Sequence, residues 1–357
     1  MKTYIKFLLR LFFSSFIYVL LIIASLVTIL NVLSEIEFFK VYDVDYYLPI
    51  YMALLNTPAL IFEIFPFVFL ISTQLFFVSL FNNNEIQIFK YSGLKNTSIL
   101  LIIGSFTFVI GIFLITTFYS VSSNLKNFYI KIKSNYSSEE KHLAVITKNG
   151  LWIKDEINGK IKIINASKID NNYLLDVFIS EFDENYNISR NVKSEKVDMQ
   201  NKEWNIIDPR VYYDNKQADY SSLKIKSNFD YEKIQNLFSN LSSLSLVKLL
   251  QLRKNYNQLN YSTNEVDLQL LKIMTYPIFF VLMTYLSSVV MFNTKHYKSI
   301  SFKISLGLFF SVIVYYLFNF FYILGNIEKI SLITSVSTPL LFLSIINLIL
   351  SLNINEK

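Results

Sequence analysis

Residues 82–96 read NNNEIQIFKYSGLKN, a polar segment with one glycine set between two long apolar runs. Its meaning depends on those neighbours. Upstream, Asn56 to Phe81 carries a single charge, Glu63, and two prolines, Pro58 and Pro66. Downstream, Thr97 to Ser120 carries no charge. At about 1.5 Å per residue, each run can cross a hydrocarbon core of about 30 Å as a helix.

Four further runs share this character. Leu11 to Leu33 is uncharged and follows Lys2, Lys6 and Arg10. A secretory leader is the alternative there, but the run is longer than a leader's apolar region and no small-residue cleavage site follows, so it reads as a retained span. Three more runs lie between Lys272 and Lys295, between Lys303 and Glu328, and between Lys329 and Glu356. The chain of 357 residues is 53% hydrophobic and 17% aromatic, and its apolar residues come in blocks. The pattern predicts six spans, three before and three after a large polar insertion.

Charge predicts the orientation. Lys2, Lys6, Arg10, Lys90, Lys95, Lys295, Lys298, Lys303 and Lys357 fall on one side. The short loops of the other side hold Glu35, Glu37, Asp43, Asp45 and Glu328, with Lys40 and Lys329 the basic residues there. The positive-inside rule places both termini and the 82–96 segment in the cytoplasm, and the insertion outside. In a Gram-negative cell this is the inner membrane with a periplasmic domain. The net charge of +6 is then a property of loops and gives no reason to expect nucleic-acid binding.

The insertion, about Val121 to Lys272, changes character along its length. Val121 to Tyr136 looks helical, a continuation of the third span. From Leu143 to Tyr220 the runs are short and β-prone. Lys160 to Ile163 alternates, and so does the run placing Val177, Ile179 and Glu181 against Phe178, Ser180 and Phe182. Asn158-Gly159 is a hairpin-turn signal. Leu241 to Tyr261 returns to helical spacing. The expected architecture is an α-helical polytopic protein of three parts. Residues 1–135 hold spans 1–3, 136–262 an all-β sandwich or open barrel, and 263–357 spans 4–6.

Several chemistries are excluded. Cysteine is absent, so there is no disulfide and no thiolate metal site. The two histidines, His142 and His296, are far apart. None of the seven glycines belongs to a phosphate-binding G-x-x-x-x-G-K-[ST] loop, and G-x-S-x-G and H-E-x-x-H are missing. The chain is expected to be no enzyme and to bind no cofactor or metal. The carboxylates of the insertion read as solvated charge on hairpins.

The opening segment then reads as a short cytoplasmic helix near residues 83–92. Asn82 can cap it with Glu85 three residues on, and Gly93 can end it in a left-handed conformation. About three turns are expected, too few to be stable alone in water. Ile86, Phe89 and Lys90 share a face, suited to a groove on a cytoplasmic partner. The plainer alternative is an intracellular turn whose apolar residues dip into the membrane interface.

The order of motifs along the whole chain resembles the lipopolysaccharide-export permeases, the LptF/LptG (YjgP/YjgQ) family. NEIQIFKYSGL resembles the family's coupling helix, and PALIFEIFPFVFLISTQL, with Pro58 and Pro66, its second span. GLWIKD (150–155) resembles a motif of the LptG branch, which the motifs at Trp152 and Trp204 favour. ISEFDENYNISR and KEWNIID resemble strands of a periplasmic β-jellyroll, and TPLLFL (338–343) the start of the sixth span. The resemblance implies a permease that pairs with an LptF-like permease above an LptB-like ATPase dimer, which uses ATP and Mg. Lipopolysaccharide would pass through the jellyroll to LptC and LptA. Glu85 would meet the ATPase, with Ile86, Phe89, Lys90 and Gly93 shaping the dock. The family's basic residues at the outer end of span 1 are replaced here by Glu35 and Glu37. Either the phosphate contacts lie on the partner, or the lipid differs, or Lys40, Lys272 and Lys329 supply them. Phe38, Phe62 and Phe65 are candidate acyl-chain contacts or, equally, part of an interfacial aromatic belt. Other readings are a membrane-anchored periplasmic sensor or scaffold, and a mechanotransmitting ABC permease.

Overall fold

The computed structural model describes residues 3–134, 136, 143–147, 150–157, 160–170, 172–183, 186–213, 216–231, 234, 241–258, 263–294, 299–352 and 354. Two compact units divide the chain: residues 1–126 with 267–357, and residues 127–266. The chain is a polytopic membrane protein with an inserted β domain.

The first unit is helical. Its elements are α1 (Thr3–Phe39), α2 (Tyr47–Asn82), α3 (Glu85–Tyr91) and α4 (Asn96–Phe113). A π-helical turn (Leu114–Phe118) joins α4 to α5 (Tyr119–Ser134) as one continuous rod. After the insertion come α7 (Asn264–Asn293), α8 (Ile300–Asn326) and α9 (Leu332–Ser351); α6 (Leu246–Gln258) lies in the second unit. Among the described residues six of these helical rods are long and apolar enough to span a membrane. All six predicted spans are present. Most of the helices run past the predicted apolar limits at one end or both, because hydropathy marks hydrocarbon depth and hydrogen bonding continues beyond it; α9 stays within its limits.

Helices in lipid gain no hydrophobic drive from one another, so close packing and buried polar bonds join them. Asn31 donates to the Ala53 carbonyl at 2.8 Å, joining α1 to α2. Ser287 donates to Leu70 O at 2.8 Å, and Gln74 Nε2 to Lys303 O at 3.0 Å, joining α2 to α7 and α8. Asn347 donates to Leu282 O at 2.9 Å, joining α9 to α7. Aromatic rings fill the space between. Phe69 stacks on Phe16 and on Phe280, each at 4.9 Å between centroids.

The second unit is one antiparallel sheet: β1 (Leu143–Thr147), β2 (Gly150–Ile157), β3 (Lys160–Asp170), β4 (Tyr173–Phe182), β5 (Ile188–Asp198), β6 (Glu203–Ile207), β7 (Arg210–Tyr213), β8 (Lys216–Asp219) and β9 (Ser222–Lys226). Strands β1 to β6 each pair with the next. β6 and β7 follow one another along a single edge of β5, and β9 and β8 pair with them in turn. Both pairs are therefore long strands interrupted once. The break in the first is Asp208-Pro209, where Asp208 has φ 46° and the proline cannot donate to the ladder. Two backbone bonds across the breaks, Asp208 N to Ser221 O and Tyr220 N to Pro209 O, hold the interrupted strands in register.

One sheet face carries the core: Ile153, Ile164, Val177, Ile179, Val192 and the fully buried Trp204. The expected alternation of β4 holds, with Val177 and Ile179 inward and Phe178 outward. In β3 it is displaced. Ile164 and Ala166 face the core while Ile163 is 36% exposed on the other face. The apolar run Ile161, Ile163, Ile164 offers both phases, and pairing Ile164 with Ile153 and Ile179 selects one. The Asn158-Gly159 turn lies outside the described residues; its flanks pair as Ile157 with Lys160. Helix α6 covers Leu246–Gln258 of the later stretch read as helical; residues 259–261 lie outside the described residues.

Candidate functional site

Helix α3 is shorter than the sequence suggests and starts later. α2 continues through Asn82, so Asn82 is helical and cannot cap the next helix. Asn84 takes that place, with φ 57° and no side-chain cap bond, and Glu85 is the first helical residue. No capping box forms, and α3 has 7 residues, about two turns. Asparagine tolerates the left-handed conformation better than most residues, so it can reverse the chain between abutting helices. The end of α3 agrees with expectation. Gly93 has φ 77°, its N–H bonds Lys90 O at 2.9 Å, and Leu94 N bonds Phe89 O at 2.9 Å. This pair of bonds is the Schellman closure. Glu85 in the first turn and Lys90 in the last suit the helix dipole.

The expected docking face is not the exposed one. Ile86 is only 6% exposed, and the Phe89 ring lies 6.2 Å from that of Phe7 on α1. These residues seat α3 on its own chain. The opposite stripe, Ile88 at 59% and Tyr91 at 89% exposure, faces outward. Both stripes have i, i+3 spacing, so periodicity alone cannot rank them. Glu85 Oε2 is buried and has no hydrogen-bond partner.

The expected lipid-contact residues do not form one group. Lys40 lies exposed in the turn after α1, and Lys329 lies exposed between α8 and α9. Phe38 packs on Phe39 and Tyr42 at that end of α1. Phe62 and Phe65, expected to line a cavity, instead pack inside the bundle, at 5% and 0% exposure. Phe62 stacks on Tyr276 at 5.3 Å and Phe65 meets Phe118 at 5.3 Å. Their positions along α2 put them on the side facing α5 and α7. Glu35, read as a loop carboxylate, is buried at 2% exposure, while Glu37 is exposed.

Lys272 is the exception. Its ammonium lies 4.9 Å from the Tyr322 ring centroid. It lines a cavity of about 60 Å³ between α2, α7 and α8, together with Glu63, Pro66, Phe67, Ser311 and Asn319. Glu63 is exposed on α2. Sequence reading noted Glu63 but gave it no role. A carboxylate inside an apolar run was the available signal.

In the second unit, four charges cross the core face in one row: Asp155, Lys162, Glu181 and Arg190, each paired with the next across the ladder. Asp155 is fully buried and accepts from Ser227 Oγ, Asn228 N and Asn228 Nδ2 at 2.8–3.0 Å. Lys162 donates to Lys226 O at 2.6 Å. Burial lowers its pKa, against the pull of Glu181 and Asp155. Arg190 holds Glu181 in a two-pronged pair at 2.6 and 2.9 Å, which raises the guanidinium further. The reading of these carboxylates as solvated charge is therefore corrected for Asp155 and Glu181. Among the described residues no cluster of His, Asp or Glu could hold a metal.

Set against known families, residues 6–353 match the family described as lipopolysaccharide export system permease LptF/LptG. No curated protein matches the chain.

Proposed function

Since the chain belongs to the LptF/LptG family of lipopolysaccharide export permeases, we propose that it is the LptG-type subunit of an ATP-driven exporter. It pairs with an LptF-like permease, and an LptB-like ATPase dimer supplies the energy from ATP and Mg. Both termini and α3 face the cytoplasm, and the β unit lies in the periplasm of the inner membrane. Lipopolysaccharide leaves the membrane through the paired permeases and passes along the β unit, as a jellyroll, to LptC and LptA.

The observation that carries this reading is α3. It is a two-turn helix, closed by Gly93, seated on its own chain by Ile86 and Phe89, with Ile88 and Tyr91 outward and a Glu85 oxygen buried without a donor. A donor from a partner would complete that carboxylate, and a groove would cover the two apolar side chains. Ile86 and Phe89 thus hold the helix in place, while Glu85, Ile88 and Tyr91 make the contact.

The test is ATPase activity of the complex co-purified with candidate partners, with and without lipopolysaccharide. Ile88→Ala with Tyr91→Ala, and Glu85→Ala alone, should leave this chain's yield unchanged and lower lipid-stimulated ATPase activity at least about tenfold, the worth of roughly 1.4 kcal/mol. Unchanged stimulation in both variants would remove α3 from the contact. If no ATPase co-purifies with the wild-type chain, the sensor or scaffold reading replaces the exporter.

A further inference from the structure

We propose that the cavity between α2, α7 and α8 binds the zwitterionic headgroup of a phosphatidylethanolamine-type lipid, its ammonium against Glu63 and its phosphate against Lys272. The proposal goes beyond the export reading and does not require it.

An ionised side chain within a span is costly even by the mildest insertion scale, so intramembrane charges persist where they have work or a partner. Here one wall of a cavity carries a carboxylate and the other an ammonium. No ion pair closes between them among the described residues: Lys272 lies over the Tyr322 ring, and Glu63 has no hydrogen bond. A closed pair would have satisfied both charges and filled the space. Instead the two groups face the same room.

The room selects its occupant by charge. A simple anion would be attracted by Lys272 and repelled by Glu63, and a simple cation the reverse. A group with both charges is favoured by both walls. The rest of the lining suits a lipid. Pro66, Phe67 and Phe318 offer apolar surface, and Ser311 and Asn319 offer polar atoms for ester or phosphate oxygens. A cavity accepts a water once about 10–15 Å³ is open to its centre, so about 60 Å³ admits a group of several heavy atoms. The ethanolamine end fits inside, with the glycerol and acyl chains outside among the exposed apolar side chains of α8, Val312 and Tyr316.

The experiment is native mass spectrometry of the full chain. It is reconstituted in nanodiscs of equal phosphatidylethanolamine and phosphatidylglycerol, then released into mild detergent. Wild-type protein should retain phosphatidylethanolamine about tenfold over phosphatidylglycerol, the worth of one charge-assisted hydrogen bond. Glu63→Gln should bring the ratio near one while phosphatidylglycerol retention stays or rises. Lys272→Gln should lower retention of both lipids. Equal retention by the wild-type chain would overturn the proposal, and so would an unchanged ratio in Glu63→Gln. The wild-type ratio needs no variant, so a substitution that lowers yield leaves the test standing. Lipid retention is read without any ATPase or transport, so its failure is distinct from failure of the exporter reading.

Discussion

Trp204 concentrates the stability of the second unit in one side chain. It is fully buried, and its indole N–H donates to the Phe229 carbonyl at 2.7 Å. Trp204→Phe keeps most of the apolar volume and removes that hydrogen bond. It should cost about 1–3 kcal/mol, read as a lower unfolding temperature of the purified full chain. Trp204→Ala adds a cavity and should cost about 3–5 kcal/mol. Lys162 gives a pH signature. Its folded pKa lies below the ordinary 10.5 because burial disfavours the charged amine. The unfolded chain therefore binds more protons in the interval between the lowered value and 10.5. Stability rises with pH across that interval. Lys162→Met should flatten the rise, measured as the difference between the two unfolding curves from pH 8 upward. The tryptophan was legible in the sequence as a motif residue. The charge row was not, because Asp155 and Lys162 are joined by register and register is a property of the paired strands.

Between elements, α2 approaches α8 closely at one glycine. Gln74 is fully buried, and its side chain occupies the space where a side chain on Gly307 would sit. Its Nε2 reaches the Lys303 carbonyl beyond. Gly307→Leu should push the helices apart and lower the yield and melting temperature of the purified chain, by several degrees if the cost is about 1–3 kcal/mol. Gln74→Ala in the same chain should restore much of that loss, because it vacates the space. A non-additive double-mutant cycle is the measurement. The six helices were legible from hydropathy alone, since lipid demands long uncharged runs. Their mutual faces were not. α2 is apolar nearly all round, so nothing in its pattern announced that Phe62 and Phe65 face α5 and α7 rather than a lipid path. α3 shows the same limit on a smaller scale, with two equivalent stripes of which contact with Phe7 buries one.

For the whole molecule, orientation is the consequence to test. The chain has no cysteine, so single cysteines can be placed without first removing any. Lys40→Cys and Lys329→Cys are exposed in loops expected outside, and Lys90→Cys is exposed on α3, expected inside. A membrane-impermeant maleimide should label the first two in intact spheroplasts and the third only after permeabilisation. The reverse pattern would invert the topology and place α3 away from any cytoplasmic ATPase. The expectation rests on loop charge, because basic residues in short loops resist translocation.

The strand order of the second unit also bears on synthesis. β1 to β6 each pair with the strand made just before, and the interrupted strands close on one another through nearby turns. Such neighbour-to-neighbour pairing keeps the sequence separation of contacts short, and short separations favour rapid formation. The helical unit is the opposite case, since residues 1–126 must wait for 267–357. Domains tend to fold as they emerge from the ribosome. The sheet can therefore be complete before α7 is made, leaving three spans to wait in the bilayer beside an already finished domain. A slow codon stretch or a translocation pause would then fall with least harm after Ile234, once the core is complete, and with most harm inside the ladder itself.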